Sequence, residues 1–299
     1  MKKFLISAKK QLFPRRRVRV GRWEILSTPN HPLNEYQIAF PFYDQFLPIL
    51  CSHLGGTAID IGANIGDSTA AILATSSHLR IVAVEPDDAF YAILKHNCER
   101  IDIDRRVELV KAFVSSTKRH FVVCKSSFKS TGHVSNVASE KATSPTLSFA
   151  ELIIRTGAKD ISIIKSDTDG FDWDVLASIG EYLKIAKPQL PLIFFEMQTY
   201  LQELGFNDEE RPNRLRLYLD SISNLFSLGY EEFLLLDNFG VPILRGHDVS
   251  LVEQVERYLE SSQTLGKRVP AFYIDIALFC RHHTEVIEKS LAELRQATK

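Results

Sequence analysis

The chain has 299 residues, 45% hydrophobic and 24% charged, with a formal net charge of −1. That composition excludes a disordered chain, a collagen-like fibre and a disulfide scaffold, and no apolar run approaches the ~18 residues needed to span a bilayer. Residues 1–22 hold nine Lys or Arg and no acid, which leaves −10 on residues 23–299 and argues against a broad nucleic-acid surface.

The basic arm, residues 1–30, comes first. Its Phe4-Leu5-Ile6 stretch is too short for a signal-peptide core. The arm has the charge for a weak peripheral contact with anionic membrane; the alternative is a solvated terminus. Four scattered cysteines (Cys51, Cys98, Cys124, Cys280) form no C-x-x-C pair and fit part-buried thiols in a reducing cytoplasm. Tyr36, Phe40, Phe42, Tyr43 and Phe46 form an aromatic stretch that reads as a packed helix, or as a roof over a pocket.

From there, short apolar runs alternate with helical patterns, as in an α/β sheet. Thr57–Ile61 reads as a first strand, Asp67–Ala74 as a helix capped by Asp67 and Ser68, and Arg80–Val84 as a second strand closed by Glu85-Pro86. Asp87–Cys98 is a helix with Phe90, Ile93, Leu94 and Asn97 on one stripe, and Val107–Phe113 is a third strand. His120–Cys124 is a short extra strand, and the polar stretch 126–145 has the length of a lid. A helix at Leu147–Ile154 leads to a fourth strand, Ile161–Lys165, a helix at Trp173–Leu183 and a fifth strand, Leu192–Phe195. The helix Arg214–Phe226, strand Phe233–Leu236, helix Leu251–Leu259, late strand Phe272–Phe279 and amphipathic helix Glu285–Ala297 follow.

The strongest local signal is Asp60-Ile61-Gly62-Ala63-Asn64-Ile65-Gly66-Asp67-Ser68, set between a strand and a helix. Gly62 and Gly66 permit a sharp turn and close approach of a ligand, and the helix that follows presents free N–H groups. Glu85 closes the next strand 19 residues after Gly66, where an acid accepts hydrogen bonds from ribose hydroxyls. The Gly62-x-x-x-Gly66 spacing departs from the dinucleotide G-x-G-x-x-G and lacks the Gly-Lys-Ser/Thr of a P-loop.

The D-x-G-x-N-x-G arrangement resembles motif I of class I S-adenosylmethionine-dependent methyltransferases. Glu85-Pro86 with Tyr91, Leu94 and Asn97, then Lys165-Ser166-Asp167-Thr168-Asp169-Gly170, then Pro191 to Glu196 resemble successive stretches of the FkbM-like members. Order and spacing agree over residues 58–196, and Ile274–Phe279 resembles the closing strand. The resemblance implies a Rossmann-like fold: a mostly parallel seven-stranded sheet, helices on both faces and an antiparallel last strand. It implies one methyltransferase domain over residues 31–282, with residues 283–299 as a C-terminal amphipathic helix. Asp60, Gly62, Ala63, Asn64, Gly66, Asp67, Ser68, Glu85, Pro86, Ser115 and Asp167 are then the expected contacts of S-adenosyl-L-methionine. Asp169 and Asp172 replace the family's Glu, and Ser148 replaces its Asp before the third helix.

Methyl transfer to an alcohol needs a base beside the acceptor and a site that excludes water. Asp167 and Glu196 end neighbouring strands and are the expected catalytic carboxylates, Asp167 first. Asp169 is read as a cap of the following helix, Phe171 and Trp173 as core, and His31 and His133 as alternative bases or plain surface histidines. Local spacing completes no oxygen-rich set around Asp167 and Glu196, so no metal is expected. The expected acceptor is a small molecule or glycan hydroxyl, contacted by the N-terminal 50 residues, the 126–145 loop and the 200–270 region. A NAD or nucleotide-sugar enzyme and an inactive binding module stay open as alternatives.

Overall fold

β-branched and apolar strands with both faces covered pair in parallel, because crossover helices shield each side of the sheet. The computed structural model describes residues 16–28, 31, 33–40, 42–125, 132–137, 144–200, 209–264 and 273–296. A hairpin of β1 (Arg16–Val20) and β2 (Trp23–Ser27) and two short helices, α1 (Leu33–Ala39) and α2 (Phe46–Ser52), precede the sheet. Then β3 (Thr57–Ile61), α3 (Asp67–Thr75), β4 (Arg80–Val84), α4 (Asp88–Ile101) and β5 (Val107–Val110) alternate. The two-residue β6 (Phe113–Val114) pairs with β9 (Thr146–Leu147), and β7 (His120–Lys125) pairs with β8 (Gly132–Val137). Next come α5 (Phe149–Thr156), β10 (Ile161–Ser166), α6 (Asp172–Ala186), β11 (Leu192–Met197) and α7 (Arg211–Ser227). The last elements are β12 (Glu232–Asp237), β13 (Pro242–Gly246), α8 (Val249–Thr264), β14 (Ile274–Phe279) and α9 (Thr284–Gln296).

The main sheet runs β13-β12-β14-β11-β10-β3-β4-β5. β3, β4, β5, β10 and β11 are parallel neighbours, and β14 lies antiparallel between β11 and β12. This is the expected mostly parallel sheet with its reversed late strand. It has an eighth strand, β13, that the sequence reading stopped short of. Asp237 makes the turn into it by accepting from the N–H groups of Phe239 and Val241, each at 2.9 Å. Pro242 opens β13, which is tolerated because the strand lies at the sheet edge.

Side chains alternate between two apolar layers, as the period of a strand requires. Ile59, Ile164, Ile193 and Phe195 point to one layer, with residues of α5, α6, α7 and α8. Ala58, Ile163, Leu192 and Phe194 point to the other, with residues of α2, α3, α4 and α9. Val18, Val20, Ile25 and Leu26 of the hairpin, within the stretch expected to be the basic arm, are buried, and three of them belong to the second layer. Asn97 pins the hairpin to α4. Its Oδ1 accepts from the Leu26 N–H at 2.8 Å, and its Nδ2 donates to the Leu26 and Ile65 carbonyls at 2.9 and 2.8 Å. The C-terminal helix likewise joins the domain through buried Ile287 and Leu294.

Within the stretch read as a lid, residues 132–137 form β8; residues 126–131 and 138–143 lie outside the described set, as do residues 1–15 of the basic arm. Ser148, the departure from the family's Asp, caps α5 through a reciprocal pairing with Glu151. Cys51, Cys98 and Cys280 are buried free thiols. No helix among the described residues is long and apolar enough to cross a membrane.

Candidate functional site

After β3 the chain builds outward through β4 and β5, and after β10 it builds the other way through β11. Strand order therefore reverses between β3 and β10, and a crevice opens at their carboxyl ends. A cavity of about 670 Å³ occupies that place, large enough for a nucleoside-bearing molecule with a second ligand.

The turn after β3 forms the cavity floor. Gly62 has φ +75°, and a Cβ there would lie 1.8 Å from the Asp167 carbonyl oxygen. Only glycine lets β3 and β10 approach so closely. The Gly62 and Ala63 N–H groups both donate to the Val84 carbonyl at 3.0 Å, tying the turn to β4. Gly66, at φ +88°, occupies the N-cap of α3, and no side chain caps that helix. The expected capping by Ser68 is therefore corrected: its hydroxyl donates to Asp60 Oδ2 at 2.7 Å, as does the Thr69 hydroxyl at 2.7 Å.

Behind the turn lies a buried ion network. Asp60 is fully buried, and its Oδ1 is 3.2 Å from the Lys165 ammonium. Lys165 also donates to the Gly62 carbonyl at 3.2 Å and lies 3.4 Å from Asp167 Oδ2. Burial by itself would push the Lys165 pKa down; Asp60 and Asp167 more than reverse this and hold the ammonium charged. Lys165 escaped the sequence reading as a site residue. Its signal was there: a lone charge in the apolar strand Ile161-Ser162-Ile163-Ile164.

Glu85 stands at the end of β4. It accepts from the Asn64 N–H at 2.9 Å and the Asp87 N–H at 2.7 Å. Burial pushes its carboxyl up to about 7, against the pull of those two hydrogen bonds. Each carboxylate oxygen has a further lone pair, so Glu85 can also accept from a ligand at the cavity wall.

On the same lining, Asp167, Asp169 and Glu196 each place an oxygen within 4.8 Å of the others. Burial, followed by Asp167 and Asp169, holds the Glu196 carboxyl well above the usual range. Asp275, opposite Glu196 on β14, is raised first by burial and then by Asp167. The expected capping of α6 by Asp169 is also corrected. That helix begins at Asp172, whose buried carboxylate accepts from the Ser166 hydroxyl and the Thr168 N–H. Burial raises the Asp172 carboxyl to about 7.

The aromatic stretch ahead of β3 both packs and roofs: Phe46 is buried, and Tyr36, Tyr43 and Phe46 all line the cavity. His31 reaches the cavity beside Asp67. Burial lowers the pKa of His31 and raises that of Asp67, and each partly offsets the other's shift. The His133 side chain lies outside the described set. Phe171 lines the cavity and packs edge-on against Phe121 and Trp173, whereas Trp173 packs on the core.

Of the expected cofactor contacts, Gly62, Asn64, Asp67, Ser68, Glu85, Pro86 and Asp167 line the cavity, as does Glu196. Asp60, Ala63 and Gly66 support the turn from behind. Ser115 is not among the lining residues: its hydroxyl donates to Asp174 on α6, as does the adjacent Ser116 hydroxyl. The rest of the lining includes Asp44, Tyr273 and Asp275, which no local motif marks.

A family model described as the methyltransferase FkbM domain matches residues 60–232. No curated protein matches the chain. Among solved structures, an O-methyltransferase from Bacillus cereus in complex with SAH is 16% identical, with 79% of this chain and 80% of that one covered and a TM-score of 0.42. Methyltransferase FkbM from Methylobacillus flagellatus KT is 14% identical, covering 75% of this chain and 44% of that one, with a TM-score of 0.38. Precorrin-6y C5,15-methyltransferase from Geobacter metallireducens GS-15 is 12% identical, covering 79% and 86%, with a TM-score of 0.38.

Proposed function

The chain belongs to the FkbM methyltransferase family, and from that premise we propose that it transfers a methyl group from S-adenosylmethionine to a hydroxyl of a small molecule or glycan. One observation carries the reading. A single cavity is lined by the glycine turn, by Glu85 and by the carboxylates Asp67, Asp167, Asp169, Glu196 and Asp275. The cofactor supplies an electrophilic methyl on a positively charged sulfur. Its dimensions suit the cavity, and its sulfonium and ammonium suit the acidic lining.

In this reading Glu85 accepts hydrogen bonds from the ribose hydroxyls. The turn at Gly62 and Asn64 lies along the amino-acid end, and Asp67 and Asp167 face its ammonium. Lys165 fixes Asp167 and the turn by holding Asp60, Asp167 and the Gly62 carbonyl together. Glu196 takes the proton of the acceptor hydroxyl: it lines the cavity, and the burial that raises its carboxyl above the usual range makes its ionised form a stronger base than an exposed glutamate. The aromatic roof of Tyr36, Tyr43 and Phe46 keeps water from the transferring methyl.

Calorimetric titration with S-adenosylmethionine and, separately, with NADH tests the cofactor. Micromolar binding of the first, weakened by about 1–3 kcal/mol in Glu85→Ala through lost hydrogen bonds, supports the reading. Binding of NADH alone overturns it. Transfer of a labelled methyl group to sugar hydroxyls tests the acceptor class. Glu196→Gln should slow that transfer by roughly 10²–10⁴-fold and leave cofactor affinity within about threefold, the range expected for a lost general base.

A further inference from the structure

Resting on that reading of the cavity, we propose that Asp167, Asp169 and Glu196 form a divalent-cation site beside the transferring methyl, selective for Mg²⁺, Mn²⁺ or Ca²⁺. One oxygen of each lies within 4.8 Å of the other two. Ligands placed 2.0–2.6 Å from a shared cation are separated by about that span or less. The three come from the ends of adjacent parallel strands β10 and β11, a rigid base for such a set.

Glu196 supplies a second and separate observation. It is only 8% exposed and lines the cavity, and its Oε1 has no hydrogen-bond partner among the described residues. A buried carboxylate oxygen left without a donor is costly, and a cation removes that cost. Lys165 does not serve this purpose, because it is committed to Asp60, Asp167 and the Gly62 carbonyl. The charge of the cavity points the same way. Its described lining holds seven carboxylates (Asp44, Asp67, Glu85, Asp167, Asp169, Glu196, Asp275) against Lys165 and His31. S-adenosylmethionine brings a net charge of only about +1, so this lining has carboxyl groups to spare for a divalent cation.

An all-oxygen donor set suits Mg²⁺, Mn²⁺ or Ca²⁺ rather than Zn²⁺ or Cu²⁺. Three protein ligands leave positions for water and for the acceptor's hydroxyl oxygen. Bound there, that hydroxyl has a lowered pKa and a fixed line of approach to the methyl. The O–H bond breaks, with its proton passing to the second oxygen of Glu196. The new O–CH₃ bond forms as the S–CH₃ bond breaks, and the sulfur keeps the electron pair as a thioether.

The test is Mn²⁺ titration of the full chain, followed by loss of the free-ion paramagnetic resonance signal, with S-adenosylmethionine binding measured separately in chelator. The expected result is one Mn²⁺ per chain, displaced by Mg²⁺, and weakened at least tenfold in Asp169→Asn and in Glu196→Gln. Asp275→Asn removes a cavity carboxylate outside the trio and should change Mn²⁺ affinity less than threefold. Retained S-adenosylmethionine binding serves as the folding control for each variant. No Mn²⁺ bound at millimolar concentration overturns the site, as does an equal loss in Asp275→Asn, which would mark diffuse acidic attraction. Cofactor binding without Mn²⁺ binding removes the cation site and spares the methyltransferase reading. Mn²⁺ binding without cofactor binding does the reverse.

Discussion

Replacing Lys165 by Met should be among the most damaging single changes in the molecule, although the two side chains are similar in length. Asp60 is fully buried, and its Oδ1 has the Lys165 ammonium at 3.2 Å as its counter-ion. At an effective dielectric of 20, a pair at that distance attracts by about 5 kcal/mol. Removing one partner of a buried pair costs about 3–5 kcal/mol, because the other charge is left uncompensated. Lys165 also donates to the Gly62 carbonyl, so the turn loses a tie to β10. For a chain of this size that loss should lower the melting temperature by roughly 6–15 °C. Urea unfolding followed by the fluorescence of the two tryptophans provides the assay. Asp60→Asn in the same background makes a double-mutant cycle. The two changes together should cost less than the sum of the singles, by about 2–3 kcal/mol, because the uncompensated charge is gone. A single variant within 1 kcal/mol of the parent, or a strictly additive pair, would refute the view that this ion pair holds the turn against β10.

Three further changes probe other parts of the argument. Gly62→Ala should destabilise by more than about 3 kcal/mol in chemical unfolding, because its Cβ would meet the Asp167 carbonyl at 1.8 Å. Gly66→Ala should cost about 1–2 kcal/mol, since it adds left-handed strain but meets only the movable tip of Leu94, at 2.7 Å; equal costs would contradict this. Ser115→Ala should cost about 1–2 kcal/mol through its lost bond to Asp174 and leave cofactor affinity within about twofold; a large loss of affinity in calorimetry would restore Ser115 to the site. A further prediction concerns pH. Buried Glu85 and Asp172 carry folded-state pKa values of about 7, above their unfolded values. Their protonated forms favour the folded state, so stability of the ligand-free protein is full below about pH 4 for these groups and falls as pH rises through 7, by about 3–4 kcal/mol for each. Binding that requires ionised Glu85 should strengthen over the same window. Melting curves and cofactor titrations from pH 5 to pH 8 should therefore move in opposite directions, and parallel movement would contradict the assignment.

Local chemistry made much of this protein legible before any coordinates. β3, β4 and β14 are largely apolar runs, and α4 carries a 3.6-residue stripe, so their identity follows from local pattern. The turn from Asp60 to Ser68 is readable because Gly62 and Gly66 take positive φ, a backbone demand local to the turn, although the close approach of Asp167 to Gly62 adds a distant one. Glu85 follows from its place at the end of the next strand. The remaining site residues depend on which strands become neighbours, and short-range patterns carry no information about that. Lys165 meets Gly62 across 103 residues, because β10 pairs with β3. Asp169 looks like a helix cap in sequence, yet α6 starts three residues later and the carboxylate is left beside Glu196. Ser115 turns to Asp174, a partner 59 residues away that only packing of α6 supplies. Sequence determined the alternation of elements and the turn that receives the ligand. Tertiary structure decided which carboxylates share one cavity, and burial, acting on groups brought together from distant segments, raises Glu85, Glu196 and Asp275 above the usual carboxylate range.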